Sequence, residues 1–292
     1  MRELCPALAN KAYFNYGGQG PLPTSALEAI TASWRTIQEL GPFSTDVWPF
    51  VERETTRVRA ALAGLCGVGP HRLALTENVT SGCVLPLWGL PWQAGDRLLI
   101  SDCEHPGVVA ACQELARREG LEISTLPVLE LCRTTPQADL PSAVLTAVDQ
   151  CLTHDTRLVV LSHLLWNTGC VMPITAVAER LAAHPCRPWL LVDAAQSMGA
   201  RWKGREIGSF GDLISFSFHP NKNMTSIEGG CLVLRNDDLD YYEENGMLND
   251  VVVEVVDGRS WTVSWENARR IEIRNARFTG SGRAVPVLRK CT

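Results

Sequence analysis

Two charged residues, Asp193 and Lys222, follow apolar runs that are typical of buried strands. Asp193 ends the run WLLVD, and Lys222 lies between the run LISFSF and a glycine pair at 229–230. Desolvation there would lower the pKa of the lysine and suit it to Schiff-base formation with a carbonyl. A buried aspartate needs a partner such as a protonated pyridine nitrogen. The alternatives are a surface-loop lysine and an aspartate that caps the next turn.

A third candidate, the segment NVTSG, stands between the strand-like run RLALT and the apolar run CVLPLWGL. Thr80, Ser81 and Gly82 would offer hydroxyl and N–H donors at a helix N-terminus, where the helix dipole favours a phosphate. The segment is neither GxGxxG nor a P-loop, so it does not indicate a nucleotide. A plain helix cap is the alternative.

Flat and amide side chains follow other strand-like runs. His105 could stack on a heteroaromatic ring or be a hydrogen-bonded loop histidine, while Asn167 and Gln196 could bond a ring hydroxyl or satisfy backbone groups. Together the candidates supply a lysine for an imine, an acid for a pyridinium, phosphate donors and a stacking ring. Pyridoxal 5′-phosphate is the cofactor that uses all four.

Strand-like runs alternate with helical patterns and would position these residues. The runs are RLALT, RLLIS, LEISTL, RLVVLS and WLLVD, at 72–76, 97–101, 121–126, 157–162 and 189–193. Such alternation predicts an α/β fold with three αβα layers and a mostly parallel sheet. Ligands bind at the carboxyl ends of such strands, which is where the candidate residues stand.

Helical spacing predicts two helices before the first strand, at 23–40 with a Ser25/Glu28 capping box and at 45–65 with a C-cap at Gly67. We expect an N-terminal arm and helix at 1–45, a cofactor-binding large domain at 46–245 and an atypical tail at 246–292. The tail predicts short strands joined by an Asp-Gly turn.

Net charge and cysteine pattern limit the classes of partner that we expect for this protein. The net charge of −5 is well mixed and offers no basic field for nucleic acid or anionic membranes, so we expect a small polar partner. The eleven cysteines include no CxxC pair, which favours reduced thiols in a cytoplasmic protein over a metal site or disulfide framework. No run approaches a membrane span in length.

Four stretches resemble the class V aminotransferase group of fold-type-I pyridoxal-phosphate enzymes, specifically the cysteine/cystine C–S lyases, over about residues 10–185. They are LANKAYFNYGGQGPLPTSALEAI, LTENVTSGCVLPLWGLPWQAGD, SDCEHPGVVA and LVVLSHLLWNTGCVMPI. The resemblance implies phosphate contacts from Thr80, Ser81 and Gly82, stacking by His105, and ring contacts from Asn167, Asp193 and Gln196. It also implies that residues 15–19 line the substrate entrance and that the protein is a homodimer.

Residues 190–240 instead resemble the DegT/DnrJ/EryC1 aminotransferases, since SFHPNK replaces the SxHK of class V. This resemblance adds Ser217 and His219 to the cofactor-binding set and keeps Lys222 as the Schiff-base lysine. The tail matches neither branch. Its arginines, Arg269, Arg270 and Arg283, are generic candidates for a substrate carboxylate.

Three functions stay open at this point. The leading hypothesis is a C–S lyase that releases pyruvate, ammonia and a sulfur species from cysteine or cystine, with Lys222, His105 and Asp193 as catalytic residues. An aminotransferase acting on a nucleotide-linked keto-sugar is the second. A non-catalytic protein that keeps the fold as a ligand-binding or dimerising scaffold is the third.

Overall fold

The computed structural model of the protein describes residues 2–16 and 18–235, and the backbone of two strands at 250–255 and 259–264. The α-helices of these residues are α1 (Thr24–Leu40), α2 (Val47–Cys66), α3 (Val79–Gly89), α4 (Pro106–Glu119), α5 (Val128–Thr134), α6 (Leu140–Cys151) and α7 (Ile174–Ala183). The strands are β1 (Leu73–Thr76), β2 (Arg97–Ser101), β3 (Glu122–Leu126), β4 (Thr156–Val160), β5 (Trp189–Asp193), β6 (Arg201–Trp202), β7 (Arg205–Glu206), β8 (Leu213–Ser217), β9 (Gly230–Leu234), β10 (Asp250–Val255) and β11 (Arg259–Ser264).

Seven strands form one sheet in the order β1-β9-β8-β5-β4-β2-β3. Strand β9 pairs antiparallel with both of its neighbours, and the other pairings of the sheet are parallel. Six strands therefore run in one direction, and their carboxyl ends meet at one edge. The predicted α/β class with a mostly parallel sheet is confirmed.

Strand β5 shows why the apolar runs are unbroken. Leu190 and Val192 lie in a core cluster with residues of α2, α6 and α7, whereas Leu191 lies in a second cluster with residues of α3 and α4. Because successive side chains of a strand point to opposite faces, a sheet covered by helices on both faces needs apolar residues at every position. The arrangement is the predicted three-layer one.

Helices α1 and α2 confirm both predicted N-terminal helices, and Gly67 ends α2 in the left-handed conformation at φ 73°. The predicted capping box is wrong. Pro23 is the N-cap residue of α1, and no side chain caps the helix. Ser25 already lies inside the first turn, because the chain reaches Thr24 from an extended proline-containing segment.

The strands predicted for the stretch VVVEVVDGRSWTV are present as β10 and β11, which pair antiparallel with each other, whereas those predicted for residues 270–292 fall outside the described residues. The Asp-Gly turn between them and Arg269, Arg270 and Arg283 fall outside the described residues. The division into segments 1–45, 46–245 and 246–292 stays a prediction. Among the helices that the structure describes, none is both long and apolar enough to cross a membrane.

Candidate active site

Asp193 lies buried at the carboxyl end of the central strand β5 and is 6% exposed. Its Oδ1 accepts a 2.9 Å hydrogen bond from the Ala195 N–H. Burial raises the pKa of the Asp193 carboxyl above its ordinary value, and the Ala195 N–H, with the positive charges of Lys222 and His105, opposes the rise. A cationic group placed against this carboxylate would therefore be stabilised by it.

Lys222 lies half-buried in the loop that follows β8, the strand next to β5 in the sheet. Burial lowers the pKa of its ammonium group, and the charge of Asp193 opposes that shift. Because Asp193 and Lys222 each shift the pKa of the other, the two side chains lie in the same region. An amine with a lowered pKa is unprotonated more often near neutral pH, as nucleophilic and basic lysines must be.

The N-terminal arm rests on the Lys222 loop. The Gly20 N–H donates a 2.8 Å hydrogen bond to the Lys222 carbonyl. A side chain at position 20 would meet the Asn223 carbonyl oxygen at 2.5 Å, so only glycine permits this approach. The arm itself is folded by the Tyr13 hydroxyl, which donates to the carbonyls of Asn15 (3.2 Å) and Gln19 (2.7 Å). The hydrogen bond of Gly20 therefore brings the end of the arm to the backbone of Lys222.

Helix α3 begins at the carboxyl end of β1. The Asn78 side chain caps it by accepting a 3.0 Å hydrogen bond from the Ser81 N–H. Among the hydrogen bonds of the described residues, none uses the Thr80 or Ser81 hydroxyl, and the N–H groups of Val79 and Thr80 face no backbone acceptor. These groups remain available as donors for an anion at the helix N-terminus.

Gly82 has a different environment from its two neighbours. Its N–H donates to the Asn78 carbonyl at 3.1 Å, as in any helix. A Cβ at position 82 would lie 2.2 Å from the Ser215 hydroxyl oxygen of β8. Gly82 thus lets α3 pack closely against β8, and its predicted phosphate contact stays a prediction.

His105 is the N-cap residue of α4, where its Nδ1 accepts a 3.2 Å hydrogen bond from the Gly107 N–H. Its charge acts on the Asp193 carboxylate, and its ring lies 6.4 Å from that of Trp166 in an edge-to-face arrangement. A β-carbon at Gly107 would lie 3.6 Å from the Thr80 hydroxyl, so α3 and α4 begin side by side. His105 is therefore both the cap of α4 and a group that acts electrostatically on Asp193.

Four further residues were predicted for the site, and the structure shows fewer contacts between them and Asp193, Lys222 or His105. They are Asn167, Gln196, Ser217 and His219. Asn167 is exposed and interacts with the Cys103 thiol, whereas Gln196 is half-buried after β5. The buried Ser217 hydroxyl accepts from the His219 N–H at 3.3 Å. The His219 ring faces its own loop, with Nδ1 2.7 Å from Asn221 Oδ1 and Nε2 3.5 Å from Glu228 Oε1.

Sequence reasoning missed Glu104, a second buried carboxylate. Its Oε1 accepts from the Ser101 hydroxyl (2.5 Å) and the Ser162 N–H (2.8 Å), and its Oε2 accepts from the Ser162 hydroxyl (2.6 Å). Burial raises the pKa of Glu104, although these hydrogen bonds oppose the rise. Glu104 ties the loop after β2 to the loop after β4, and the neighbouring His105 is positioned by that link.

A surface cavity of about 380 Å³ lies at the opposite, amino edge of the sheet, between Leu152–His154 and His184–Cys186. It contains none of the strand-end residues described above. Within the described part of the chain, no three His, Cys, Asp or Glu side chains are grouped so as to hold a metal ion.

The donor set at the carboxyl edge fits pyridoxal phosphate. Unused hydroxyls and N–H groups open α3, a buried carboxylate of raised pKa ends β5, and an amine of lowered pKa follows β8. The first set suits a phosphate, the second a pyridinium and the third an aldehyde. Each of these three ligand groups would thus find protein groups of matching chemistry at this edge of the sheet.

Comparisons with known sequences agree with this chemistry. The DegT/DnrJ/EryC1/StrS aminotransferase family model matches residues 141–249. Isopenicillin N epimerase from Streptomyces clavuligerus is 32% identical over 200 residues, which are 67% of this chain and 46% of the epimerase. The chain spans about half the length of the curated relatives it matches.

Two solved structures are similar over most of the chain. An alanine mutant of C-DES, with glycine covalently linked to its pyridoxal phosphate cofactor, is 37% identical with a TM-score of 0.73; the match covers 91% of this chain and 67% of that one. The cystine C–S lyase C-DES in complex with its reaction product cysteine persulfide is also 37% identical, with a TM-score of 0.71 and coverage of 89% and 66%.

Proposed function

The chain belongs to the fold-type-I pyridoxal-phosphate-dependent enzymes, and from that membership we propose that it is a C–S lyase acting on cysteine or cystine. One observation carries the proposal: Lys222 and His105 both act electrostatically on the Asp193 carboxylate at the carboxyl edge of the sheet. The 37% identity to a cystine C–S lyase supports this choice of reaction.

Thr80 and Ser81, with the N–H groups that open α3, would hold the phosphate of the cofactor. Asp193 would pair with the ring nitrogen, His105 would stack on the ring, and Asn167 and Gln196 would contact the ring oxygen. When bound, the cofactor supplies an aldehyde that condenses with amines and a ring that accepts the electron pair left when a bond at the substrate α-carbon breaks. Gly82, Ser217 and His219 belong to the same proposal through the family resemblance alone.

The side chain of Lys222 would move the proton at the substrate α-carbon. Its lowered pKa supports this role, because a base must be unprotonated in part at the working pH. Asp193 would keep its negative charge once a cation lies beside it. Residues 15–19 would line the substrate entrance, and the hydrogen bond from Gly20 to the Lys222 carbonyl supports this role.

Pyruvate release tests the proposal. Cystine or cysteine is supplied to the cofactor-loaded protein, and pyruvate and ammonia should appear in equal amounts. Lys222→Ala should lower the rate about 10²–10⁴-fold, the usual contribution of a positioned acid–base group. Lys203→Ala is the matched control, since Lys203 is exposed and is not among the groups that act electrostatically on Asp193. Pyruvate formation that survives Lys222→Ala would contradict the assignment.

An aminotransferase is the second candidate, because the aminotransferase family model matches residues 141–249, which include Asp193 and Lys222. That activity predicts consumption of an amino donor such as glutamate, formation of its oxo acid, and no pyruvate from cystine. The same assay therefore separates the two reactions.

We also propose that the protein is a homodimer in the cytoplasm. Helix α1 buries none of its residues against the described chain, and its Leu27 and Trp34 are 51% and 66% exposed. Such an apolar helix face is suited to contact a second surface. Sedimentation of the purified protein tests the dimer.

A further inference from the structure

Two thiols lie side by side next to the candidate active site. Cys132 is on α5, and Cys170 is at the end of the loop that follows β4. The Cys132 thiol interacts with the Cys170 thiol and with the Thr168 hydroxyl, and Cys170 acts to raise its pKa. Both cysteines pack against the core cluster that contains Leu165. Neither has a role in the proposed reaction.

The loop that carries Cys170 is held by its own hydrogen bonds. The Leu165 N–H donates to the Cys170 carbonyl and the Gly169 N–H to the Leu165 carbonyl, each at 2.9 Å. The Cys170 N–H donates to the Thr168 hydroxyl oxygen at 3.2 Å, so Thr168 contacts both cysteines. The backbone of Cys170 is thus fixed while its thiol faces Cys132.

A second pair of touching thiols, Cys66 and Cys231, provides an internal comparison. Their side chains also interact, but both residues are 0% exposed in the core between α2 and β9. Cys132 and Cys170 are both partly exposed. Thiol–disulfide exchange requires that the incoming reagent reach a sulfur atom, so accessibility distinguishes the two pairs.

We propose that Cys132 and Cys170 form a thiol–disulfide exchange site that low-molecular-weight disulfides oxidise to an intramolecular disulfide. The Cys170 thiolate attacks one sulfur of the reagent, a protein–reagent disulfide forms, and the first reagent thiol leaves. Cys132 then loses its proton to solvent and attacks the Cys170 sulfur, which releases the second reagent thiol. One disulfide is reduced to two thiols, and two protein thiols are oxidised to one disulfide.

The order of attack follows from the surroundings of each thiol. Burial and the neighbouring Cys170 raise the pKa of the Cys132 thiol to about 11, so Cys132 stays protonated near neutral pH. Cys170 ends a loop whose preceding residues 166–169 are exposed. The thiolate is the reactive form, and the reagent meets Cys170 first.

The disulfide would fix the loop next to the candidate pocket. That loop carries Trp166 and Asn167, and Trp166 packs against His105. Helix α5 is already held at its start, where the Leu129 N–H donates to Asp102 Oδ1 at 2.9 Å. The crosslink would therefore join helix α5 to the loop whose Trp166 lies against the ring of His105.

The probe is oxidised glutathione. Cystine is also a small disulfide, but it is unsuitable because the proposed lyase reaction would consume it. The full chain is reduced, freed of reductant, incubated with oxidised glutathione, denatured, alkylated and digested with trypsin. Cleavage after lysine and arginine puts the four cysteines on four separate peptides, 119–133, 158–180, 60–72 and 223–235. We expect peptides 119–133 and 158–180 to be joined, with loss of both alkylatable thiols, while Cys66 and Cys231 are recovered alkylated.

The Cys132→Ser variant checks the order of the steps. It should stop at one glutathione on Cys170, whereas Cys170→Ser should leave Cys132 largely alkylated. Glutathione on both cysteines of the wild type without a crosslink would overturn the proposal. Unmodified Cys132 and Cys170, or equal crosslinking of Cys66 with Cys231, would also overturn it. These results do not depend on whether the protein is a lyase.

Discussion

Replacing Gly82 with alanine tests why α3 lies so close to β8. The new Cβ would stand 2.2 Å from the Ser215 hydroxyl oxygen and 3.2 Å from the Ser215 Cβ. Because carbon and oxygen atoms in contact are about 3.5 Å apart, the helix or the strand must move by about 1 Å. Overpacking of this kind costs about 1–3 kcal/mol of the free energy of unfolding.

The partner substitution Ser215→Ala removes the clashing atom. It also removes the 3.1 Å hydrogen bond from Ser215 to the Val79 carbonyl, a loss of about 1 kcal/mol. In the double variant the nearest atom to the new Cβ is the β-carbon of residue 215 at 3.2 Å, which a few tenths of an ångström relieve. The double variant should therefore be more stable than the sum of the single effects, by about 1–2 kcal/mol.

Urea unfolding of the four proteins measures this coupling, and cofactor affinity is measured on the same samples. Gly64→Ala is the matched control, because Gly64 lies inside α2 with no atom within 4 Å of a new Cβ. It should stabilise the protein by about 0.5–1 kcal/mol. Additive effects at positions 82 and 215, or a Gly82→Ala variant as stable as the wild type, would refute the packing argument. A variant that regains stability but not cofactor binding would favour a direct phosphate role for Gly82.

Two further predictions concern buried titratable groups. Because burial raises the pKa of Asp193, its contribution to stability is full below its ordinary pKa of about 4 and is lost as pH rises through the folded value. Asp193→Asn should therefore stabilise the cofactor-free protein relative to the wild type at pH 7 but not at pH 4, while weakening cofactor binding; an equal difference at both pH values would contradict this. Burial lowers the pKa of His163 to about 4, so its contribution is full above about pH 6.5 and is lost as pH falls to about 4. His163→Asn, which keeps a polar atom near the Ser197 hydroxyl, should remove up to about 3 kcal/mol of that pH dependence in urea unfolding, and an unchanged slope would contradict it.

The strands were predictable because burial on both faces leaves little choice of residue. The runs RLLIS and WLLVD coincide with β2 and β5, since a strand between two helical layers must be apolar throughout. The start of α1 was not predictable from Ser25 and Glu28. A capping box is a local pattern, and the extended backbone at Pro23 sets the helix start two residues earlier than the box requires.

The candidate site could be predicted in part. Asp193 and Lys222 were found because each follows an apolar run, and the sheet order then puts their strands side by side. Glu104 was missed because its partner Ser162 is 58 residues away in sequence, and only the pairing of β2 with β4 brings them together. The packing of Gly82 against Ser215 has the same non-local origin, so a glycine after two hydroxyl residues suggested a phosphate contact alone.

The central claim is that Lys222 holds the cofactor, and borohydride reduction tests it directly. The purified protein is mixed with pyridoxal phosphate, its absorption spectrum is recorded, and the sample is reduced and digested with trypsin. A label on Lys222 blocks cleavage there and yields one labelled peptide at 206–235, whereas the unlabelled chain gives 206–222 and 223–235. We predict an absorption band at the edge of the visible range and label confined to peptide 206–235. Absence of the band, or label distributed over Lys11, Lys203 and Lys290, would contradict the account.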